Sequence, residues 1–563
     1  MKKILAGALI VLVGIGVISF KEDDRNFQIA KNLDLFNSIF KELDMFYVDT
    51  IDAEKMIQNG VRGMLALTDP YTEYYPEEEM SSVKELTTGK YGGIGAAIRY
   101  YEAKDRIAVI EPTEGMPAAE AGVKAGDIIL AVGGKEMVRG DMKPQDFSEK
   151  VSQALRGEPG TSFILKVMRP LKNDSTILEF KITRKSIRTN PVPYYGMVRD
   201  SIGYLALSSF TENCSKDFKK AFIELKQKGA KALILDLRDN GGGSLSEAID
   251  IVNFFVPKGQ EIVVTKGKLK QAQGSYKTEN EPIDTKIPLA VLVNGGSASA
   301  SEIVSGSLQD LDRAVIIGTR TYGKGLVQTI RPLPYNGTLK VTTSKYYIPS
   351  GRCIQAIDYA KKNADGSVAR TPDSLTNVFH TAAGREVRDG GGIRPDIEVK
   401  GDRIPNIVFY LMNEDIIFDY ATQYCWDHPT MESVESFKLT DEDYRAFKEL
   451  VKSRDFTYDR QSEKMLKSLK EVAEFEGYME GASEEFKALE KKLNHNLDRD
   501  LDYFSKQIKT YIAQEIVTRY FYQRGAAMER LKDDEDLEKA ISVLKDGKQY
   551  SEILSVKKTL EAK

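Results

Sequence analysis

Cysteine is scarce in this chain of 563 residues, which contains three. Cys214, Cys353 and Cys425 are odd in number and widely separated, so the sequence shows neither a disulfide framework nor the spacing of a metal site. The helical histidine and glutamate pattern of the common zinc proteases is also missing. The sequence therefore gives no reason to expect a metal or another cofactor, and it removes the main class of metallohydrolase.

Histidine is equally rare. The three histidines are His380, His428 and His495, and none of them stands in a strong catalytic context. Three residues are enough for a triad that contains one histidine, so their number alone leaves such a triad open.

The chain also lacks a strong excess of charge of either sign. Its net charge is −4, and 41% of its residues are apolar and 29% charged, which is the composition of a globular protein. A nucleic-acid partner is not expected, because such a partner requires a basic surface. At this length, three or four domains are expected.

A long apolar run, residues 4–20, lies between Lys2-Lys3 and a charged stretch at 21–24. This pattern is typical of a secretory signal or a signal anchor. No clear small-residue cleavage site follows the run, and its length is near the lower limit for spanning a bilayer, so both interpretations stay open. In either case we expect an exported body, in the periplasm or cell envelope, held at the inner membrane if the segment is uncleaved.

Residues 291–328 combine a strand, a turn, a helix start and a lysine. The apolar run 289–294 predicts a strand covered on both faces, which a pair of glycines then ends. Ser297, Ser299 and Ser301 place three hydroxyls at or near the N-terminus of the following helix. Unpaired N–H groups and the helix dipole favour developing negative charge there, so the segment suits an oxyanion.

Two other interpretations compete for this segment. Ser299 to Glu302 also fit a capping box, whose only duty is to satisfy backbone donors. Residues 318–324 match a phosphate-binding loop, but Gly325 stands where a serine or threonine should coordinate magnesium. Lys324 favours catalysis, because a lysine in a dry pocket has a lowered pKa and becomes a usable general base. Serine plus lysine is a known variant of the Ser-His-Asp arrangement.

The letters S-A-S-A-S-E-I, followed by G-K-G-L-V-Q, resemble the catalytic core of the carboxyl-terminal processing proteases, also called tail-specific proteases, of the S41 peptidase family. The resemblance implies that Ser299 is a nucleophile and Lys324 its general base. It also implies that Gln328 orients the lysine amine, and residues 324, 326 and 328 of an extended segment would share one face.

A glycine-rich turn, residues 238–244, follows another buried-type strand and resembles the oxyanion loop of the same family. Strand, glycine turn and helix form a general anion-binding design, although a tight turn without catalytic duty fits equally well. The resemblance implies one oxyanion N–H from Gly242 or Gly243 and a second from Ala300. Gly241 replaces the family's usual proline.

Residues 91–96 look like the carboxylate-binding loop of a PDZ domain, and residues 115–130 resemble its helix, turn and following strand. Backbone N–H groups of such a loop hold a peptide's terminal carboxylate while the peptide extends the sheet. A small apolar pocket beside Ile94 would favour an apolar last residue. The peptide-binding residues implied by the resemblance are Gly92, Gly93, Ile94 and Gly95.

These features predict a multidomain α+β protein. Its expected parts are a signal peptide or signal anchor at 1–24, an N-terminal helical arm at 25–87, a β-rich PDZ domain at 88–187, an α/β S41 protease core of the crotonase or Clp type at 188–400, and a helical C-terminal region at 401–563. The arm is expected to pack or to self-associate, which makes a homo-oligomer one expectation. Apolar spacing from Phe486 to Ile508 predicts one long amphipathic helix.

The sequence thus predicts an exported serine endopeptidase that captures the apolar C-terminal tails of proteins and cleaves by a serine-lysine dyad, without metal or nucleotide. Two rivals are a catalytically inert core that serves as a PDZ scaffold, and an enzyme like the acyl-CoA hydratases, whose fold also has a backbone oxyanion hole. The presence of Ser299, Lys324 and Gln328 together disfavours the scaffold.

Overall fold

The structure is a computed structural model that describes residues 2–172, 174–199, 201–359, 361, 368–400, 404–493 and 496–555. Side chains are described in these ranges except at residues 2–23, 81, 82, 86 and 87. The predicted signal or anchor, residues 4–20, therefore has no described side chains, and His495 lies outside the described residues. Elsewhere in the described chain, no helix has both the length and the apolar character that crossing a membrane requires.

The chain divides into two compact units, and the first comprises Met1–Glu77 and Gln328–Thr342. Its elements before residue 78 are α1 (Lys2–Phe46), α2 (Ala53–Leu65) and β1 (Glu73–Tyr75). β1 pairs antiparallel with residues 338–340. Several apolar side chains of α1 are more than half exposed, namely Phe27, Leu33, Leu35, Phe36, Ile39 and Phe46. The predicted helical arm thus presents an apolar surface.

The second unit, Glu78–Val327 and Thr343–Lys563, begins with a module of antiparallel strands. Its elements are α3 (Met80–Thr88), β2 (Lys90–Gly93), β3 (Ala96–Tyr101), β4 (Arg106–Pro112), α4 (Pro117–Glu120), β5 (Ile128–Val132), β6 (Lys135–Glu136), α5 (Pro144–Leu155), β7 (Ser162–Pro170), β8 (Ser175–Thr183) and β9 (Lys185–Arg188). The sheet has the order β3-β4-β5-β7-β8, with β6 on β5, and β2 pairs with β9. β3 is an edge strand among the described residues, and α5 packs against it.

A mostly parallel sheet follows. The elements of this region are β10 (Tyr195–Arg199), β11 (Ile202–Ala206), α6 (Cys214–Gln227), β12 (Ala232–Asp236), α7 (Leu245–Asn253), β13 (Glu261–Gly267), β14 (Gly274–Lys277), β15 (Leu289–Val293), α8 (Ala300–Asp310), β16 (Val315–Gly318), β17 (Leu326–Pro332), β18 (Thr338–Tyr347), β19 (Val378–His380), β20 (Glu386–Arg388) and β21 (Ile397–Glu398). The sheet order is β10-β11-β12-β15-β16-β21, with the β10–β11 pair antiparallel and the other pairs parallel. All residues of β12 and β15 are buried, as expected of parallel strands covered on both faces.

The chain ends in a helical region. Its helices are α9 (Asn406–Asn413), α10 (Ile416–Asp427), α11 (Asp441–Ser453), α12 (Gln461–Phe475), α13 (Met479–Leu493), α14 (Leu497–Tyr503), α15 (Ser505–Arg530), α16 (Glu535–Lys545) and α17 (Gly547–Ile553). The prediction of one long helix from Phe486 to Ile508 is wrong. Asn496 has an extended backbone and caps α14 by accepting the N–H of Arg499 at 2.8 Å, so the apolar spacing continues across a break in the helix.

The two faces of the parallel sheet are covered by helices from different parts of the chain. Helices α6, α7 and α8 cover one face. The other face packs against α16, with α17 beside it. The buried residues of this second contact include Ile234, Leu292 and Ile317 of the sheet and Leu537, Ala540 and Ile541 of α16. The last helices of the predicted C-terminal region are therefore a layer of the same sandwich that carries the site.

Candidate active site

The site is built where β15 leaves the sheet and α8 begins, as the sequence predicted. Between them the backbone turns at Gly295-Gly296, and every residue of α8 is buried. Of the three hydroxyls near the helix start, two hold neighbouring backbone. The Ser297 hydroxyl donates to the Leu237 carbonyl at 2.7 Å, and the Ser301 hydroxyl donates to the Asn240 carbonyl at 2.8 Å. Both serines are fully buried.

Ser299 differs from these two serines. It is half-buried, and within the described part of the chain its side chain makes no cap hydrogen bond to α8. Its backbone has φ 55° and ψ −112°, a region that residues other than glycine rarely adopt and that costs of order 1–3 kcal/mol. The surrounding structure therefore forces the Ser299 backbone into a sharp turn and leaves the hydroxyl uncommitted to the helix.

Glu302 joins the backbone of Ser299 to that of Lys324. Its Oε2 accepts the N–H of Ser299 at 2.9 Å and the N–H of Lys324 at 2.9 Å. Its Oε1 accepts the N–H of Gly323 at 2.7 Å and the hydroxyl of Thr321 at 2.5 Å. The carboxylate therefore caps Ser299, as the capping-box pattern predicted, and it also holds the segment that carries the lysine.

Tyr346 makes a second bridge between the same two residues. Its hydroxyl lies 2.8 Å from the carbonyl oxygen of Lys324 and 3.2 Å from that of Ser299. Burial raises the pKa of Tyr346 well above its ordinary value, so the phenol keeps its proton and remains a donor. Together with Glu302, this bridge fixes Ser299 and Lys324 as neighbours although they are far apart in the chain.

Lys324 itself is half-buried between two glycines. A side chain on Gly323, whose φ is +89°, would collide with the Cβ atom of Ala356. The segment after the lysine is strand β17, as predicted, and not the helix that follows a phosphate-binding loop.

The glycine-rich turn after β12 packs directly on the Ser299 turn. A Cβ atom on Gly242 would lie 2.8 Å from that of Ser299 and 2.7 Å from the carbonyl oxygen of Ala298, so only glycine fits there. The buried Asn240 organises the turn: its side-chain NH2 donates to the Leu207 carbonyl at 2.7 Å, and its side-chain oxygen accepts the Gly242 N–H at 2.9 Å. The Gly242 N–H is therefore engaged within its own loop.

The other predicted site residues belong to further elements of the chain. Gln328 belongs to the first unit, where its amide donates to the Thr342 hydroxyl at 3.0 Å. Gly92 and Gly93 lie in β2, and Ile94 and Gly95 connect β2 to β3. Ile94 is buried in the core of the β-rich module.

Two histidines, His380 and His428, lie exposed on the surface. Within the described ranges, no group of three or more His, Cys, Asp or Glu side chains is placed to hold a metal ion.

Sequence reasoning missed two of the site's supporting side chains. Glu302 was visible only as a capping residue, and its second contact crosses to residues 321–324, which no local pattern indicates. Tyr346 lies near the end of β18 and belongs to none of the sequence motifs described above. An alternation of buried and exposed residues near the end of β18 points the tyrosine inward, but the pattern does not say what its hydroxyl contacts.

The buried Glu302 predicts a pH-dependent stability. Burial raises its pKa from 4.5 to about 7, and the donors around it limit the rise. A carboxyl group with a raised pKa in the folded state stabilises most at low pH, and this contribution is lost as the pH rises from 4.5 to about 7. We expect the stability difference between the parent and Glu302→Gln to fall by roughly 3 kcal/mol across this window.

Hydrogen exchange at the amides of β15, corrected for the intrinsic exchange rate at each pH, measures this difference. Glu247→Gln is the control, because Glu247 also accepts two backbone N–H groups, from Asn213 and Ser215 at 2.8 Å each. If the difference in stability between the parent and Glu302→Gln stays constant from pH 5 to pH 8, the raised pKa of Glu302 is contradicted.

Comparison with known proteins assigns families to three parts of the chain. A model described as "Peptidase family S41" matches residues 201–361. A model of the PDZ domain matches residues 109–169. A third model, described as "Probable PDZ-protease, C-terminal helical domain", matches residues 407–544.

Individual relatives are similar over more than half of the chain. A carboxy-terminal-processing protease of Bartonella bacilliformis is 40% identical over 331 residues, which cover 58% of this chain and 73% of the relative. A probable CtpA-like serine protease of Staphylococcus epidermidis is 34% identical over 357 residues, covering 62% of this chain and 69% of that protein. A solved structure, of the photosystem II D1 C-terminal processing protease, is 27% identical, covers 66% of this chain and 94% of its own, and has a TM-score of 0.35.

Proposed function

Because the chain belongs to the S41 peptidase family of carboxy-terminal-processing proteases, we propose that it is an exported serine endopeptidase with a Ser299–Lys324 dyad. The observation that carries the dyad is the double bridge by which Glu302 and Tyr346 hold the two backbones together. A strained serine at the N-terminus of a buried helix, tied to a lysine between two glycines, is an arrangement suited to acyl transfer.

In the first step, the neutral amine of Lys324 accepts the proton of the Ser299 hydroxyl as Oγ attacks the carbonyl carbon of the peptide bond. The C=O π bond opens, and its electron pair forms the oxyanion of a tetrahedral intermediate. Collapse of this intermediate breaks the C–N bond, and the Lys324 ammonium gives its proton to the leaving amine.

The oxyanion is held by the N–H groups of Gly243 and Ala300. Ala300 is the first residue of α8, where N–H groups and the helix dipole both favour negative charge. Gly243 directly follows Gly242, the glycine of this loop that packs on Ser299. Loss of one such donor slows catalysis by about 10² to 10³-fold.

In the second step, water attacks the acyl-enzyme, and Lys324 again takes a proton. Collapse of the tetrahedral intermediate breaks the C–Oγ bond, and the Lys324 ammonium returns its proton to Ser299 Oγ. A carboxylic acid leaves, and the enzyme regains its starting state without a cofactor. The predicted role of Gln328, which is to orient the Lys324 amine, is part of this proposal.

The β-rich module supplies the recognition of protein tails. β3 lies at one edge of the sheet in the described residues, and α5 packs against it, so an extended tail can add a strand beside β3 with its carboxylate at residues 92–95. The backbone of such a tail would be bound by hydrogen bonds whatever its sequence. An apolar last residue would be favoured next to Ile94, whose side chain is part of the apolar core of the module.

The tail-capture proposal is tested with a long unfolded peptide that ends in an apolar residue. We expect amidation of its C-terminus to lower kcat/KM for cleavage about tenfold to a hundredfold, because a hydrogen bond to a charged group is worth about 1.5–3 kcal/mol. A short peptide that contains the same cleavage site but cannot reach the module is the control, and amidation should leave its cleavage rate unchanged. Equal rates for the acid and amide forms of the long peptide would refute tail capture.

Export is proposed from the apolar run 4–20, with the body in the periplasm or cell envelope. The exposed apolar side chains of α1 suit self-association of the helical arm. Fractionation of cells tests the first proposal, and sedimentation of the purified chain tests the second. Recovery of the protein in the cytosol would contradict export. A mass equal to that of one chain at micromolar concentration would contradict self-association.

A further inference from the structure

Arg238 opens the glycine-rich turn, and its guanidinium contacts three carboxylates at once. Nε donates to Asp236 Oδ1 at 3.0 Å and Nη2 donates to Asp236 Oδ2 at 2.6 Å. Nη1 donates to Asp534 Oδ1 at 3.0 Å and Nη2 to Asp534 Oδ2 at 2.5 Å, so this pair is bidentate. Nη1 also donates to Asp536 Oδ2 at 2.9 Å. Two of the three partners thus come from the far end of the chain.

The cluster is shielded from water. The side chain of Arg238 is 16% exposed and that of Asp534 is 6% exposed. Ion pairs in such surroundings are screened little, and removal of one partner leaves the other charges without compensation. The contact therefore holds the turn and the C-terminal helix together more firmly than a surface ion pair would.

Helix α16 fixes the position of both aspartates. Asp534 is its N-cap and accepts the N–H of Leu537 at 3.0 Å, while Asp536 lies in its first turn. Leu537 and Ile541 are buried against the parallel sheet. The helix that carries the two carboxylates packs on the sheet, so the sheet contact fixes their position.

Hydrogen bonds connect Arg238 to the glycines of the turn. The N–H of Arg238 donates to Asp236 Oδ1 at 2.9 Å, and the N–H of Asp239 donates to the side chain of Asn294 at 2.9 Å. The next residue, Asn240, orders the loop through its bond to Gly242. A shift of Arg238 would therefore move a short, hydrogen-bonded segment that ends at Gly243.

We propose that α16 is a positioning element of the active site: Asp534 and Asp536 hold Arg238, and Arg238 holds the loop that presents the Gly243 N–H to the oxyanion. This inference rests on the proposed protease function. It gives the end of the C-terminal helical region a role in the rate of the reaction, since a misplacement of about 1 Å costs up to about a hundredfold in rate.

The test compares Asp534→Asn and Asp536→Asn with a matched variant of the same helix. Asparagine at 534 keeps the helix cap, so the first variant removes charge and spares α16. Glu538→Gln is the control, because Glu538 pairs with Arg199 of β10, away from the turn, and both side chains are about half exposed. We expect the two aspartate variants to lower kcat about tenfold to a hundredfold with KM changed less than twofold, and Glu538→Gln to leave both unchanged.

Hydrogen exchange at residues 238–243 provides a readout that does not depend on activity. It should be faster in both aspartate variants and unchanged in Glu538→Gln. Folded aspartate variants with the parent's kcat would overturn the proposal, and so would an equal loss in all three variants. An inactive parent would contradict the protease function. In that case hydrogen exchange still tests the contact between α16 and the turn, and unchanged exchange in the aspartate variants would overturn it.

Discussion

Replacement of Ser299 by alanine should lower kcat for cleavage of an unfolded protein by about 10⁵ to 10⁶-fold, the loss that follows removal of a serine nucleophile from a triad. Alanine keeps the backbone hydrogen bond from residue 299 to Glu302, so the turn and α8 should be preserved. The loss would then report the missing Oγ and not a collapsed site. Cleavage is measured by the appearance of new N-termini over time, at a substrate concentration above KM.

The control is Ser305→Ala on the same helix. The Ser305 hydroxyl is buried and donates to the Ser301 carbonyl at 2.8 Å, so its removal deletes a buried hydroxyl of α8 away from the proposed chemistry. We expect this variant to keep at least a tenth of the parent's kcat, since a hydrogen bond of this kind is worth about 1 kcal/mol. Cleavage by Ser299→Ala at the parent's rate would refute the nucleophile assignment.

Replacement of Lys324 by methionine should lower kcat by at least about 10⁴-fold, because the nucleophile and its base act as one unit. Methionine keeps an unbranched apolar side chain of similar length and removes the amine. For the same reason, the double variant with Ser299→Ala should be no less active than the single variants. Lys345→Met, which changes an exposed lysine beside Tyr346, is the matched control and should keep the parent's rate.

Chemical rescue separates loss of the base from loss of structure. Lys324→Cys treated with 2-bromoethylamine carries a thioether side chain that ends in an amine at about the reach of lysine. We expect treatment to raise the kcat of Lys324→Cys at least tenfold above that of the untreated variant. The parent treated in the same way corrects for modification of the three native cysteines. An alkylated variant with no recovered activity, or a Lys324→Met variant with the parent's rate, would rule out the amine as the base.

Much of the fold was predictable from local patterns. The apolar run of β15, the glycine pair after it and the hydroxyl-rich start of α8 each have a local cause, and the structure confirms all three. An extended segment after Lys324 was also expected, and strand β17 begins there. The long helix from Phe486 was not, because the spacing of apolar residues carries no information about a cap at Asn496 within it.

The support of the site was less predictable, since it depends on contacts between distant segments. Glu302 and Tyr346 each touch both Ser299 and Lys324, and the sequence separation of these residues hides the contact. The engagement of the Gly242 N–H by Asn240 is local, yet it depends on a side-chain rotamer that the sequence does not specify.

The place of α16 was hidden for a third reason. Its apolar face is visible in the sequence, and such a face can be buried equally well within a helical bundle or on a sheet. Only the tertiary structure places Leu537 and Ile541 against the parallel strands, and only that placement brings Asp534 to Arg238.

The nucleophile can be identified directly by covalent labelling. The purified chain is treated with a fluorophosphonate, digested, and searched by mass for the modified residue. We expect one adduct per chain, on Ser299, with no adduct in Ser299→Ala and much slower labelling in Lys324→Met. An inert scaffold or a hydratase-like enzyme would not be labelled at this serine. Cleavage of the substrate by a protein whose Ser299 stays unmodified would contradict the dyad. An adduct on another residue would contradict it too.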